Sequence, residues 1–160
     1  RGLMGYTSRF LTLTKGTGVI NRIFHSYGEY TGDMEGRRNG ALISMENGKA
    51  VAFAIFNLQA RGEMFVTHND PVYEGMIVGI SSKSGDLEIN VLKGKKLTNM
   101  RTQGTDENVV LTPIRIMAIA EQLSLLNTDE ALEITPTSCR LRKLILDPHE
   151  RKRQSRAKNS

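Results

Sequence analysis

Between residues 41 and 144 the sequence is cut into short apolar runs by glycine, asparagine, aspartate and proline. A chain punctuated that often can build many short strands but few long helices. Glu46-Asn47-Gly48 stands between the runs 41–45 and 49–53, and Asn-Gly in that setting predicts a hairpin because both residues tolerate positive φ. Further strands are predicted over 63–67, 72–81, 86–92, 108–111, 132–135 and 138–144. Residues 55–61 lose the two-residue period and predict a short helical turn. Thr112 can cap a helix with Pro113 at its first position, and Ile116, Ile119, Ala120, Leu123 and Leu126 would give it an apolar stripe that covers the sheet. The expected body is a compact, barrel-like β domain with one covering helix.

The two ends differ from this body. Leu3, Tyr6, Phe10 and Leu13 recur at helical spacing and predict a helix over 3–15, with Gly16 as its stop. Residues 17–27 are rich in β-branched and aromatic side chains and predict a strand. One helix and one strand cannot bury both their faces, so this segment is expected to be part of an α/β sandwich whose other strands are missing. The polar connector from Gly28 to Gly40 sets a domain boundary, giving 1–34 and 35–160. At the other end, Asp147-Pro148-His149-Glu150 holds the elements of a capped helix start, and 151–158 follow without an apolar stripe. Such a helix gains little from packing and should fray unless a partner docks on it. The fold class is therefore α+β: an incomplete sandwich piece, a barrel-like β domain and a basic C-terminal helix.

Charge follows the same division. From Arg140 onward the chain has eight basic and two acidic residues, a net of +6, while the residues before it have fourteen basic and fifteen acidic, a net of −1. A basic tail on a neutral body suits a polyanion, although it is also a common solubilising end. Hydrophobic residues make up 39% and charged residues 24%, as in ordinary globular chains, and no apolar run approaches the roughly 20 residues of a membrane span. One cysteine, Cys139, and three scattered histidines offer neither an internal disulfide nor metal-ligand spacing, which fits a reducing compartment. The first residues lack the pattern of a secretory signal, and the chain opens on Arg1 and is expected to be a fragment.

Catalytic motifs are weak. A phosphate-binding loop needs Gly-x-x-x-x-Gly-Lys-Ser/Thr, and Gly94-Lys95-Lys96 has neither the upstream glycine nor the following hydroxyl. Asp33-Met34-Glu35-Gly36 without such a loop reads as a surface turn. His68-Asn69-Asp70-Pro71 sets an imidazole near a carboxylate, but its context is turn chemistry and no nucleophile completes it. Phe53, Phe56, Tyr73 and Met76 read as core before they read as a base-stacking platform. The informative segment is 93–107, Lys-Gly-Lys-Lys-Leu-Thr-Asn-Met-Arg-Thr-Gln-Gly-Thr-Asp-Glu, with four cations, two glycines and small hydrogen-bonding side chains. Its cations can neutralise phosphates, and Thr98, Asn99, Gln103 and Thr105 can meet phosphate or ribose hydroxyls. A solvated connection between strands and a finger that positions on an RNA backbone both fit these residues.

The segments Arg1-Gly2-Leu3-Met4-Gly5-Tyr6, Gly36-Arg37-Arg38-Asn39-Gly40, Gly48-Lys49-Ala50-Val51-Ala52, Gly94-Lys95-Lys96-Leu97-Thr98-Asn99-Met100-Arg101 and Gly104-Thr105-Asp106-Glu107 together resemble the C-terminal part of the BipA/TypA family of ribosome-associated translational GTPases. Ser81, Cys139 and a single proline before Ile114 depart from the family pattern, and none touches the 93–107 segment. The resemblance implies that 1–34 closes a domain shaped like the fifth domain of elongation factor G, and that 35–160 is the family's own C-terminal domain with a basic tail. It implies no catalysis and no cofactor in this fragment, with GTP and magnesium used by an upstream domain of the parent. Lys95, Lys96, Thr98, Asn99, Arg101 and Thr105 inherit an RNA-contact role, and secondary RNA contacts would fall to Arg151, Lys152, Arg153 and Arg156. Asp106 and Glu107 also match, but carboxylates repel phosphate, so a role in loop shape is expected of them. The implied partners are the ribosome, ribosomal RNA, the acceptor end of transfer RNA and the upstream domains, with no membrane. The implied place is the cytoplasm, or the matrix or stroma of an organelle, and the implied role is translation or ribosome assembly under stress. The alternative is a protein-interaction module that docks another domain or a ribosomal protein without touching RNA, and a hydrolase using His68 is a third reading.

Overall fold

The computed structural model describes residues 3, 6–30, 32, 37–94, 110–114 and 116–158. The chain opens on an α-helix at Tyr6–Leu13 (α1), within the predicted 3–15. Lys15 and Gly16 take φ of 52° and 79° and end it, with the Gly16 N–H donating to the Leu11 carbonyl at 2.7 Å. The strand predicted over 17–27 is absent. A strand needs a neighbouring backbone to pair with, and none is supplied among the described residues, so Val19, Ile23, Phe24 and Tyr27 are each at least 74% exposed.

Strands follow at Ala41–Ser44 (β1) and Gly48–Lys49 (β2), a helix at Ala52–Gln59 (α2), and strands at Gly62–Met64 (β3), Pro71–Val72 (β4), Ile77–Ser81 (β5) and Leu87–Ile89 (β6). After these come a helix at Ile119–Ser124 (α3), strands at Glu130–Ile134 (β7) and Cys139–Lys143 (β8), and a helix at Pro148–Lys158 (α4). β1 is the centre. It pairs antiparallel with β5 and parallel with β6, and β3 adds to the far side of β5, giving a four-stranded sheet of order β3-β5-β1-β6. β2 with β4 and β7 with β8 form two separate ribbons.

The alternation of β1 explains its unbroken apolar run. Leu42 enters one core cluster with Ile55, Met64, Val78 and Ile89, while Ala41 and Ile43 enter another with Ile77 and Leu141. Both faces of the sheet are buried, which requires apolar residues at successive positions. The same fact replaces the expected barrel. A sheet covered by α2 on one face and by β7, β8 and the Leu125-Leu126 turn on the other has no interior to close around, and no closed barrel forms among the described residues.

The Asn47-Gly48 hairpin also fails. Both edges of β1 are taken by β5 and β6, so β2 turns away to β4. Neither Asn47 nor Gly48 adopts the positive φ that turn needs, and the Asn47 Oδ1 accepts from the Glu74 N–H at 2.9 Å instead. The strand predicted over 72–81 divides in two at Gly75, whose φ of 81° turns the chain. There the Gly75 N–H donates to Ser44 O and its own carbonyl accepts from Lys143 N, each at 2.9 Å.

The helix predicted from Thr112 begins later, after Ala118. Thr112 is held by the side-chain amide of Gln59, which accepts from its N–H at 3.2 Å and donates to its carbonyl at 3.0 Å. Ile116 and Ile119 of the expected stripe are exposed, whereas Leu125 and Leu126 pack on the second cluster. The predicted turn at 55–61 is a full helix, α2, and the described end of the predicted strand 108–111 forms none. α4 starts as predicted: Asp147 Oδ1 accepts from the N–H groups of His149 at 2.6 Å and Glu150 at 3.2 Å. No described helix is long and apolar enough to cross a membrane.

Candidate nucleic-acid interface

The basic tail divides into charges that the fold consumes and charges that it presents. β8 alternates, so Leu141 and Lys143 share its inward side, and Lys143 is only 2% exposed. Its ammonium lies 2.5 Å from Asp86 Oδ2, 2.7 Å from Asp129 Oδ2 and 2.8 Å from Glu130 Oε1. Arg140 faces Glu133 at 3.7 Å, and Glu133 accepts from the Tyr73 hydroxyl at 2.5 Å. Burial, then that hydrogen bond, push the Tyr73 phenol up to about 12.

Arg37 completes the buried cluster. Its guanidinium donates to both oxygens of Glu130, at 2.6 and 2.9 Å, and to the carbonyls of Leu125 at 3.3 Å and Asn39 at 2.7 Å. Asp86 lies 3.6 Å away. Burial alone would push the Lys143 ammonium down, but its hydrogen bonds to Asp129, Asp86 and Glu130 outweigh that and hold it above the ordinary lysine value. Burial would likewise raise Asp86, and the Ala41 N–H with Lys143 outweighs it, leaving that carboxyl below the ordinary range. The carboxylate oxygens of Asp86, Asp129 and Glu130 lie within 4.8 Å of one another, close enough for a cation, and the Lys143 ammonium already fills that role. The cluster is a structural clamp that ties the 37–40 connector to β6, β7 and β8.

The presented charges lie elsewhere. Lys152 and Arg153 of α4 have side chains 63% and 82% exposed, and Arg156 is exposed on the same helix. Arg151 is 14% exposed and turns inward, donating to the carbonyls of Ile145 and Leu146 and to Glu88. Of the residues singled out by motif, Lys95, Lys96, Thr98, Asn99, Arg101 and Thr105 lie outside the described residues, as do Asp106, Glu107 and the Asp33–Gly36 turn. Lys93 and Gly94, leading into that segment, are exposed. The roots of the segment are fixed at opposite ends of α2, an eight-residue helix about 12 Å long. Val91 O accepts from Val51 N at 2.9 Å at one end, and Thr112 is held by Gln59 at the other.

His68 sits in a turn closed by Asp70, whose Oδ2 accepts from Thr67 N at 2.7 Å, with Asn69 at φ 69°. Cys139 is a half-buried free thiol. Sequence reasoning missed Arg37 as an anchor, Lys143 as a buried cation and Glu88 as a partner of the tail. Only Lys143 left a signal, its two-residue phase with Leu141.

A family model described as the TypA/BipA C-terminal domain matches residues 39–148. The chain is 51% identical over 158 residues to the large ribosomal subunit assembly factor BipA of Escherichia coli strain K12, covering 98% of this chain and 26% of that protein. It is 50% identical over 157 residues to the protein of the same name from Salmonella typhimurium, with 98% and 26% covered, and 47% identical over 161 residues to that of Buchnera aphidicola from Acyrthosiphon pisum, with 100% and 26% covered. The chain thus spans about a quarter of the length of the curated relatives it matches.

Proposed function

The chain belongs to the TypA/BipA C-terminal-domain family, and from that premise we propose that it is a ribosome-binding segment of a large-subunit assembly factor, holding ribosomal RNA and the acceptor end of transfer RNA without doing chemistry of its own. The observation that carries this reading is identity of about one half over nearly the whole chain to proteins named as large ribosomal subunit assembly factors. Lys95, Lys96 and Arg101 neutralise phosphates, and Thr98, Asn99 and Thr105 bond phosphate or ribose. Lys152, Arg153 and Arg156 add secondary contacts, with Arg151 serving to hold their helix.

Residues 1–34 belong to a preceding domain shaped like the fifth domain of elongation factor G, and the exposed Val19, Ile23, Phe24 and Tyr27 suit a segment whose strand partners lie in the rest of the parent chain. The parent hydrolyses GTP with magnesium in an upstream domain and acts in the cytoplasm, or in an organelle, in ribosome assembly under stress. No residue set described in this chain fits either group: Gly94-Lys95-Lys96 is not a phosphate loop, and the one close carboxylate trio among the described residues already holds Lys143.

The second reading, a protein-docking module, is favoured by the same exposed apolar residues near the N-terminus. Photo-cross-linking of the chain bound to purified large ribosomal subunits separates the two. The proposed function gives RNA adducts from residues 95–105, and protein adducts alone would overturn it.

A further inference from the structure

α4 has the composition of a helix that should not hold its place. Its sequence, Pro-His-Glu-Arg-Lys-Arg-Gln-Ser-Arg-Ala-Lys, carries no apolar stripe, and an isolated helix of this length is marginal in water. From 152 to 157 every residue is exposed, and the helix is tied to the body by the side chains of Arg151 and Lys152. Arg151 caps the carbonyls of Ile145 and Leu146, and both oxygens of Glu88 are engaged: Oε1 by Arg151 at 3.2 Å and Oε2 by Lys152 at 3.3 Å. Glu88 stands on β6, an edge strand of the four-stranded sheet, and its side chain is 21% exposed. One carboxylate thus joins consecutive cations of a helix to the rigid core.

We propose that Glu88 is a positioning residue for RNA binding: by holding Arg151 and Lys152 it fixes the first turn of α4, so that Arg153 and Arg156 are presented from an ordered helix rather than from a frayed tail. This rests on the RNA role proposed above. An ordered array of cations loses less conformational freedom on binding than a coil of the same charge. The carboxylate therefore raises affinity for a polyanion although its own charge opposes it.

That opposition of signs makes the test. Glu63 lies exposed on β3, the opposite edge of the same sheet, and Glu63→Gln removes the same unit of negative charge without touching α4. Binding of the 160-residue chain to purified large ribosomal subunits at low salt is compared for the native chain, Glu88→Gln and Glu63→Gln. Charge alone predicts that both variants bind at least as tightly as the native chain. Positioning predicts that Glu88→Gln binds about threefold to tenfold more weakly while Glu63→Gln does not. Amide hydrogen exchange is read separately over α4 and over β1 and β5, and the proposal predicts faster exchange in α4 alone. Equal affinity of the two variants, or faster exchange in the core as well, overturns the positioning role and leaves the RNA reading standing. Absence of binding by the native chain overturns the RNA reading and the positioning role with it.

Discussion

Arg37 and Glu130 meet through two contacts, at 2.6 and 2.9 Å, where the arginine side chain is 4% exposed and the glutamate not at all. Two parallel bonds of this kind match the planar fork of a guanidinium to a carboxylate, a geometry that lysine cannot reproduce. The pair fixes the point at which the connector enters the domain. Lys143 then shares the same glutamate from the opposite strand at 2.8 Å, so a single carboxylate serves two cations.

Arg37→Ala leaves Glu130 paired with Lys143 but removes the bonds of the buried fork, so it is expected to cost about 1.5 to 3 kcal/mol. Arg37→Lys should recover only a minor part, because the bonds to Leu125 O and Asn39 O also need the fork. Denaturant midpoints of the two variants against the native chain check this. A lysine variant as stable as the native chain would show that charge alone sustains the clamp.

The cluster and Tyr73 contribute to the pH dependence of stability. Asp86 is held below its ordinary value of 3.8, so its contribution is present above that value and is lost as pH falls through the lower folded one. Lys143 is held above its ordinary 10.5, so its contribution is complete below that value and is lost as pH rises through the higher folded one. Tyr73 keeps its proton to about 12 in the fold but ionises near 10.0 in the unfolded chain, so stability also declines between those values. Tyr73→Phe should therefore make the alkaline decline shallower and leave the acid limb unchanged. Unfolding midpoints from neutral to strongly alkaline pH test the sign.

Gly40 donates its N–H to Lys83 O at 3.0 Å and accepts from Ser81 N at 2.8 Å, so the backbones are drawn close together. A methyl group at this position would lie 1.6 Å from the carbonyl oxygen of Gly85, where only backbone can give way. Gly40→Ala is expected to destabilise the fold by more than about 3 kcal/mol. Thermal or denaturant unfolding that matched the native chain would contradict the close approach.

What could be read from the sequence was local. Asp147-Pro148 announces α4 because the cap and the proline act within one turn, and β8 is announced as a strand because Leu141 alternates with Arg140 and Arg142. What could not be read was set by competition for partners. Asn47-Gly48 carries strong turn chemistry, yet the edges of β1 were already filled by β5 and β6. Thr112 can cap a helix, yet Gln59 claims its backbone. Lys143 counts as tail charge until three acids from elsewhere in the chain surround it. The candidate contacts at 95–105 were legible from residue chemistry alone, cations for phosphate and hydroxyls and amides for ribose.

The central claim is that the cations at Lys95, Lys96 and Arg101 grip RNA phosphate, and the salt dependence of binding to large ribosomal subunits tests it most directly. Each phosphate contact contributes about 0.7 to 0.9 to the slope of log affinity against log salt. The Lys95→Ala/Lys96→Ala/Arg101→Ala variant should therefore bind more weakly, with a slope shallower by about 2 to 3. The same affinity and the same slope in the variant and the native chain would contradict the account.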